Sequence, residues 1–157
     1  MAEGWGRIRL EVVTPERSVL SVEVDELSAP GALGYFGVLP GHTPFITTLG
    51  VGELGYRIGN QWEYLAITWG YAEVLANKVT ILTETAEMAE EIDIERAERA
   101  KRRAEERLRE WSTTLADVDF ERAATALQRA LLRLQVGQKR VRPGMPRRAD
   151  TRDRPPE

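Results

Sequence analysis

The chain has 157 residues, 42% of them hydrophobic and 30% charged, which suits one ordinary domain or a small domain with an appendage. A net charge of −3 argues against nucleic acid or phospholipid as a partner of the whole chain, and the lack of cysteine excludes disulfides and thiolate metal sites. No basic-then-apolar leader opens the chain, and no apolar run nears the roughly 20 residues of a spanning helix, so a soluble chain is expected, with membrane contact only through a partner.

Alternation begins at once. Ile8, Leu10 and Val12 fall on one side and Arg7, Arg9 and Glu11 on the other, the period of a half-buried strand. Thr14-Pro15-Glu16-Arg17 turns it, and Leu20, Val22 and Val24 alternate with Ser21, Glu23 and Asp25 in a second strand. Ala29-Pro30-Gly31 is expected to break the chain before a dense stretch, Gly34 to Gly50. There, glycines and prolines punctuate two apolar runs, Phe36–Leu39 and Phe45–Leu49. Proline fixes φ and cannot donate to a ladder, while glycine takes φ > 0 freely. Pro40-Gly41 therefore reads as a tight turn, Pro44 as the start of the next strand, and the whole as a stiff sheet edge. Leu54, Tyr56 and Ile58 alternate again, and Gly59-Asn60 makes a hairpin signal into Trp62–Ile67. Tyr71–Leu75 follows, and Ala76-Asn77-Lys78 turns into Val79–Thr83. About ten short strands at this spacing predict an antiparallel β-sandwich or barrel over residues 1–87, its last strand ending near Thr85.

The period changes near Glu84. Ala97, Ala100, Ala104, Leu108 and Trp111 recur every three or four residues, as do Phe120, Ala123, Leu127, Leu131 and Leu134. Asp93-Ile94-Glu95-Arg96-Ala97 and Asp119-Phe120-Glu121-Arg122-Ala123 form a small repeat in which each Asp caps a helix and each Glu sits in its first turn. With a break from Ser112 to Asp117, residues 88–138 are expected to form an antiparallel two-helix hairpin. Its Ala-rich faces bury little, about 0.8 kcal/mol per methyl-sized group, so the hairpin is marginal alone and able to undock from the sandwich. Residues 139–157 hold seven Lys or Arg against three acids, which makes this Pro-rich tail +4 and leaves −7 on the rest; with no apolar period it reads as disordered.

Chemistry of the enzymatic kind is missing. There is no Gly-x-x-x-x-Gly-Lys-Ser/Thr string, no Gly-x-Ser-x-Gly, and one histidine in a chain without cysteine offers no zinc site. His42 lies in a Pro-Gly turn, where capping or partner contact suits it better than catalysis. Glu90 and Glu91 read as charges at a helix start rather than an acid–base pair. No catalytic or metal-ligating residue is assigned, and no cofactor is required.

Gly34-Tyr35-Phe36-Gly37-Val38-Leu39-Pro40-Gly41-His42-Thr43-Pro44 resembles the signature of the epsilon subunit of the proton-translocating F-type ATP synthase. Val13-Thr14-Pro15, Thr68-Trp69-Gly70-Tyr71-Ala72-Glu73-Val74 and Val79-Thr80-Ile81-Leu82 are similar to other landmarks of that family, in its order, so the resemblance spans roughly residues 7 to 138. It implies a non-catalytic rotor subunit that clamps the gamma shaft and bears on the c-ring through Tyr35, Phe36, Pro40, Gly41 and His42. Tyr35 departs from the acid the family often carries there. The resemblance also implies helices that swing up into the alpha/beta head, where Arg99, Arg102, Arg103 and Arg107 meet acidic loops and block ATP hydrolysis. As a solvated face, the same charges would make only i,i+4 pairs. Ile92-Asp93-x-x-Arg96-Ala97 looks like the family's ATP-binding motif, joined by Glu87 and by Arg129 and Arg133, four apart on the second helix. Two guanidinium forks on one helical face suit phosphates. The implied ligand is therefore regulatory ATP, and the implied location is the cytoplasmic face of a bacterial plasma membrane or, failing that, a plastid thylakoid. A free-standing nucleotide-sensing or protein-interaction module with the same layout is the competing reading.

Overall fold

A computed structural model describes residues 6–114 and 117–139, without the side chains from 111 to 118. Ten strands, β1 (Ile8–Val13), β2 (Ser18–Val24), β3 (Glu26–Gly31), β4 (Gly34–Val38), β5 (Phe45–Leu49), β6 (Gly52–Ile58), β7 (Gln61–Ile67), β8 (Gly70–Leu75), β9 (Lys78–Thr83) and β10 (Ala86–Met88), precede a 3-10 turn at Ala89–Glu91. Two helices follow, α1 (Ile94–Thr114) and α2 (Asp117–Gly137). The strands form one sheet in the order β10-β7-β6-β3-β5-β8-β9-β1-β2, with β4 on β3, wrapped into a sandwich. Every pair is antiparallel except β1–β9, which runs parallel.

The alternation of β1 is realised in full: Ile8, Leu10 and Val12 are buried, and so are Leu54, Leu65 and Ile67 of β6 and β7 and Val79 and Ile81 of the neighbouring β9. At about 1.5–3 kcal/mol for each large aliphatic side chain, this cluster is the main source of stability. The expected break at Ala29-Pro30-Gly31 is instead the end of β3. Proline is tolerated there because β3 pairs with β6 only from Glu26 to Ser28, stops before Pro30, and then meets β5 at Gly31↔Leu49. β3 thus carries the sheet from one layer to the other. The real discontinuity is at Asp25, whose carboxylate accepts the Gly59 N–H at 2.6 Å and faces Arg7 at 3.2 Å and Arg57 at 3.9 Å. The Gly59 hydrogen bond first, helped by the two guanidiniums, holds this carboxyl below the usual aspartate range.

The Thr68-Trp69-Gly70 landmark is a buckle. Thr68 Oγ1 lies 3.0 Å from Thr85 Oγ1 and accepts the Thr85 N–H at 3.1 Å, while the Thr83 hydroxyl donates to the Thr68 carbonyl. A Cβ on Gly70 would run into the Leu82 carbonyl, so only glycine lets β8 lie this close to β9. The buckle leads the chain straight into β10, which pairs with β7 (Glu87↔Ala66) and so continues the sheet past Thr85.

The helical hairpin differs from expectation at its tip. Residues 112–114, read as part of the break, are helical, and α2 starts at Asp117, so Asp119 is its third residue rather than its cap and sits 4.0 Å from Arg122. Asp93 does cap α1: its Oδ1 accepts the Arg96 N–H at 2.9 Å. Among the described residues, no helix is long and apolar enough to cross a membrane. The tail beyond Lys139 lies outside the described residues.

Candidate functional site

Most of the residues singled out by sequence lie at two places, the turn edge and the seam between hairpin and sandwich, while Arg99, Arg102, Arg103 and Arg107 lie on the exposed surface of α1. At the turn edge, His42 N–H donates to the Leu39 carbonyl at 3.1 Å and Gly41 has φ 81°, the turn that requires glycine at its third position. The neighbouring turn braces it, since Asn77 Oδ1 accepts the Gly41 N–H at 2.7 Å. The His42 ring meets Phe45 edge-on at 5.9 Å, and Phe45 meets Phe36 at 5.3 Å. The five expected contact residues do not form one patch. Tyr35 and Phe36 are adjacent on β4 and so project to opposite faces. Phe36 joins the aromatic cluster with His42, whereas the Tyr35 hydroxyl accepts the Glu53 N–H at 3.0 Å.

Sequence reasoning missed a third surface. Leu33 stands fully exposed at the β3–β4 tip, and an apolar groove of about 780 Å³ runs past Thr48, Trp69, Tyr71 and Leu82. Tyr71 and Leu82 belonged to quoted landmarks, but only the fold puts them on the outside of the sheet.

The seam is made mainly by α2, which packs on β7, β6 and the 3-10 turn. Ala66, Ala89, Ile92, Leu132 and Val136 are buried together, with Val51, Tyr64 and Ile94 around them. Three basic side chains of α2 and its end then reach the sandwich. Arg133 grips Glu87 Oε1 with Nε at 2.7 Å and a terminal nitrogen at 2.5 Å. The Arg129 guanidinium lies 4.9 Å over the Trp69 ring, and Lys139 Nζ lies 2.6 Å from Glu53 Oε1 and 4.2 Å over Tyr64. Glu91 ties the 3-10 turn back to β2's neighbourhood: it takes Arg17 at 2.9 Å and the Met88 N–H at 3.0 Å, and Arg17 above all holds its carboxyl below the usual glutamate range.

Of the six residues expected to hold a nucleotide, the fold joins Glu87 directly to Arg133 and places Arg129 one helical turn away from it. Asp93, Arg96 and Ala97 open α1; Ala97 is buried and Asp93 already spends one oxygen on its cap. A hollow of about 460 Å³ beside Arg129 is lined by Glu121, Arg122, Thr125 and Ala126, and none of the other five residues borders it. The donor set suits a polyphosphate, but one bound at Arg133 must compete with Glu87 for that fork. Arg99, Arg102, Arg103 and Arg107 are all exposed, whereas Ala97 and Ala104 of the same helix are buried.

Two family models match, each named for the ATP synthase delta/epsilon chain: the beta-sandwich domain over residues 7–89 and the long alpha-helix domain over 90–138. An ATP synthase epsilon chain of Syntrophotalea carbinolica is 55% identical over 83% of this chain and 93% of its own length. The chain belongs to the ATP synthase epsilon-chain family. The epsilon chains of Geotalea uraniireducens and Geobacter metallireducens are 52% and 51% identical, each over 87% of this chain and 97% of theirs. The fold also matches a chain of the Euglena gracilis mitochondrial ATP synthase with a TM-score of 0.72, over 85% of this chain and 82% of that one, at 24% identity. As an epsilon-type chain it is a non-catalytic component of its complex.

Proposed function

We propose that this epsilon-type chain is a rotor subunit of the central stalk, on the membrane-bound complex as a peripheral component, with a hairpin that regulates ATP hydrolysis. The sandwich transmits rotation: its braced Leu39–His42 turn and the Phe36, His42 and Phe45 cluster form a stiff edge for the c-ring, while the exposed groove at Trp69, Tyr71 and Leu82 offers gamma an apolar seat. Rigidity matters because a contact that yields stores torque as strain instead of passing it on.

The observation that carries the regulatory half is the seam. Five apolar residues, two of them alanine, close it, and the remaining hold comes from Arg129, Arg133 and Lys139 at polar or aromatic partners. Such a joint is strong enough to form and weak enough to open. Opening lets the hairpin swing away and carry Arg99, Arg102, Arg103 and Arg107, already exposed in the docked form, to acidic loops of the alpha/beta head, where they block hydrolysis. ATP, taking the Arg133 fork in place of Glu87 and held by Arg129 and Arg133 with Glu87, Asp93, Arg96 and Ala97 around it, ties α2 to the start of α1. It thereby favours the docked form and keeps the complex active when nucleotide is plentiful.

Gamma binding tests the rotor role, and calorimetry tests the clasp. Titrating ATP into the full chain is expected to give a saturable heat that is lost in the Arg129→Ala, Arg133→Ala double variant. No heat at millimolar ATP, or equal affinity in the double variant, removes ATP from the account.

A further inference from the structure

Lys139 stands at the end of α2, fixed by its own N–H to the Val136 carbonyl at 2.9 Å. The last turn beneath it is closely packed, since a Cβ on Gly137 would meet the tip of the Ile94 side chain and press on Ile92. From that fixed base Lys139 reaches Glu53, whose side chain is only 13% exposed. Glu53 has one oxygen on Lys139, and its Oε2 is buried with no hydrogen-bond partner among the described residues. A desolvated carboxylate is tolerable only with its counter-charge in place, so the docked hairpin supplies what this strand cannot. Tyr64 completes the seat from the neighbouring strand, its ring 4.2 Å below Nζ and stacked on Trp62 at 6.3 Å. On the other side, the Glu53 N–H is fixed by the Tyr35 hydroxyl, and Tyr35 is 61% exposed on the edge strand β4.

We propose that Lys139 is the latch of the docked hairpin, and that Tyr35 sets its hold by positioning Glu53. Whatever engages Tyr35 at the sheet edge then alters the seat of Lys139 on β6, so contact with the rotor's neighbour and release of the hairpin are coupled through two hydrogen-bonded steps. The regulatory consequence rests on the reading of an inhibitory undocked hairpin; the latch itself does not.

Amide hydrogen exchange on the full chain separates the two. Lys139→Met, which keeps the aliphatic stem but leaves Glu53 unpaired, is expected to speed exchange over residues 129–136 at least about tenfold, with the β1 and β9 amides unchanged. Tyr35→Phe should accelerate the same amides less, and the double variant no more than Lys139→Met alone, as for residues acting through one group. Exchange within twofold of the parent in Lys139→Met overturns the latch, and additive effects overturn the role of Tyr35. In the reconstituted complex Lys139→Met is expected to lower ATP hydrolysis. Faster exchange with unchanged hydrolysis leaves the latch standing and removes the inhibitory reading.

Discussion

Removing everything after Met88 is expected to raise ATP hydrolysis by the reconstituted complex several-fold while leaving proton-driven synthesis in place. The cut is set by the fold. Ending the chain at Thr85 would strip β10 from β7 and leave the β7 edge open, so a loss of activity could come from a damaged sandwich. Ending at Met88 keeps that edge and the Thr68–Thr85 buckle but removes the 3-10 turn, the hairpin and Arg99, Arg102, Arg103 and Arg107. The sandwich keeps its own core, because the Ile8, Leu54 and Ile81 cluster contains no residue of the helices. Steady-state hydrolysis with the full and the shortened chain measures the effect. Equal rates would mean that the hairpin does not inhibit, and would leave the rotor role untouched.

Val136→Asp is expected to act in the opposite direction. Val136 is fully buried in the seam beside Ile92 and Leu132, at the end of α2 that docks. The substitution removes an apolar side chain and puts a carboxylate where the neighbours are aliphatic, at a cost of about 3 kcal/mol or more. That corresponds to a shift of about a hundredfold in the docked-to-undocked ratio. The strands do not share the penalty, since undocking lets the new charge reach water. Hydrolysis should therefore fall below the parent's and respond weakly to ATP, while the melting of the sandwich stays near the parent's value. A variant that hydrolyses ATP like the shortened chain would reverse the assignment of which hairpin state inhibits.

Much of the fold was legible because local period reports burial. β1, β6 and the hairpin after Gly59 follow from alternation and turn chemistry alone, and Asp93 was readable as a cap from its position before Ile94. What failed depends on neighbours remote in sequence. Pro30 looks like a breaker until the ladder from β6 is seen to stop before it, and β10, three residues long, is too short to show a period. The parallel β1–β9 pairing joins strands some seventy residues apart and leaves no local mark. At the site, Glu87 and Arg133 were read as two members of one nucleotide site, and the fold makes them each other's partners. Glu53, Trp69 and Lys139 were missed as docking residues for the same reason: each looks ordinary until its partner arrives from the other domain. Tyr35 gained most. Read from sequence as an uncharged substitute at a partner contact, it proves to be bonded to the strand that seats the hairpin.

The central claim is that this chain works as a rotor subunit, and its most direct test is complex formation with gamma. Purified together and sized, the full chain and gamma are expected to elute as a tight one-to-one complex, and substituting Tyr71 and Leu82 in the exposed groove with aspartate should weaken it. A chain that elutes alone in the presence of folded gamma would contradict the account and favour a free-standing module with the same two-part fold.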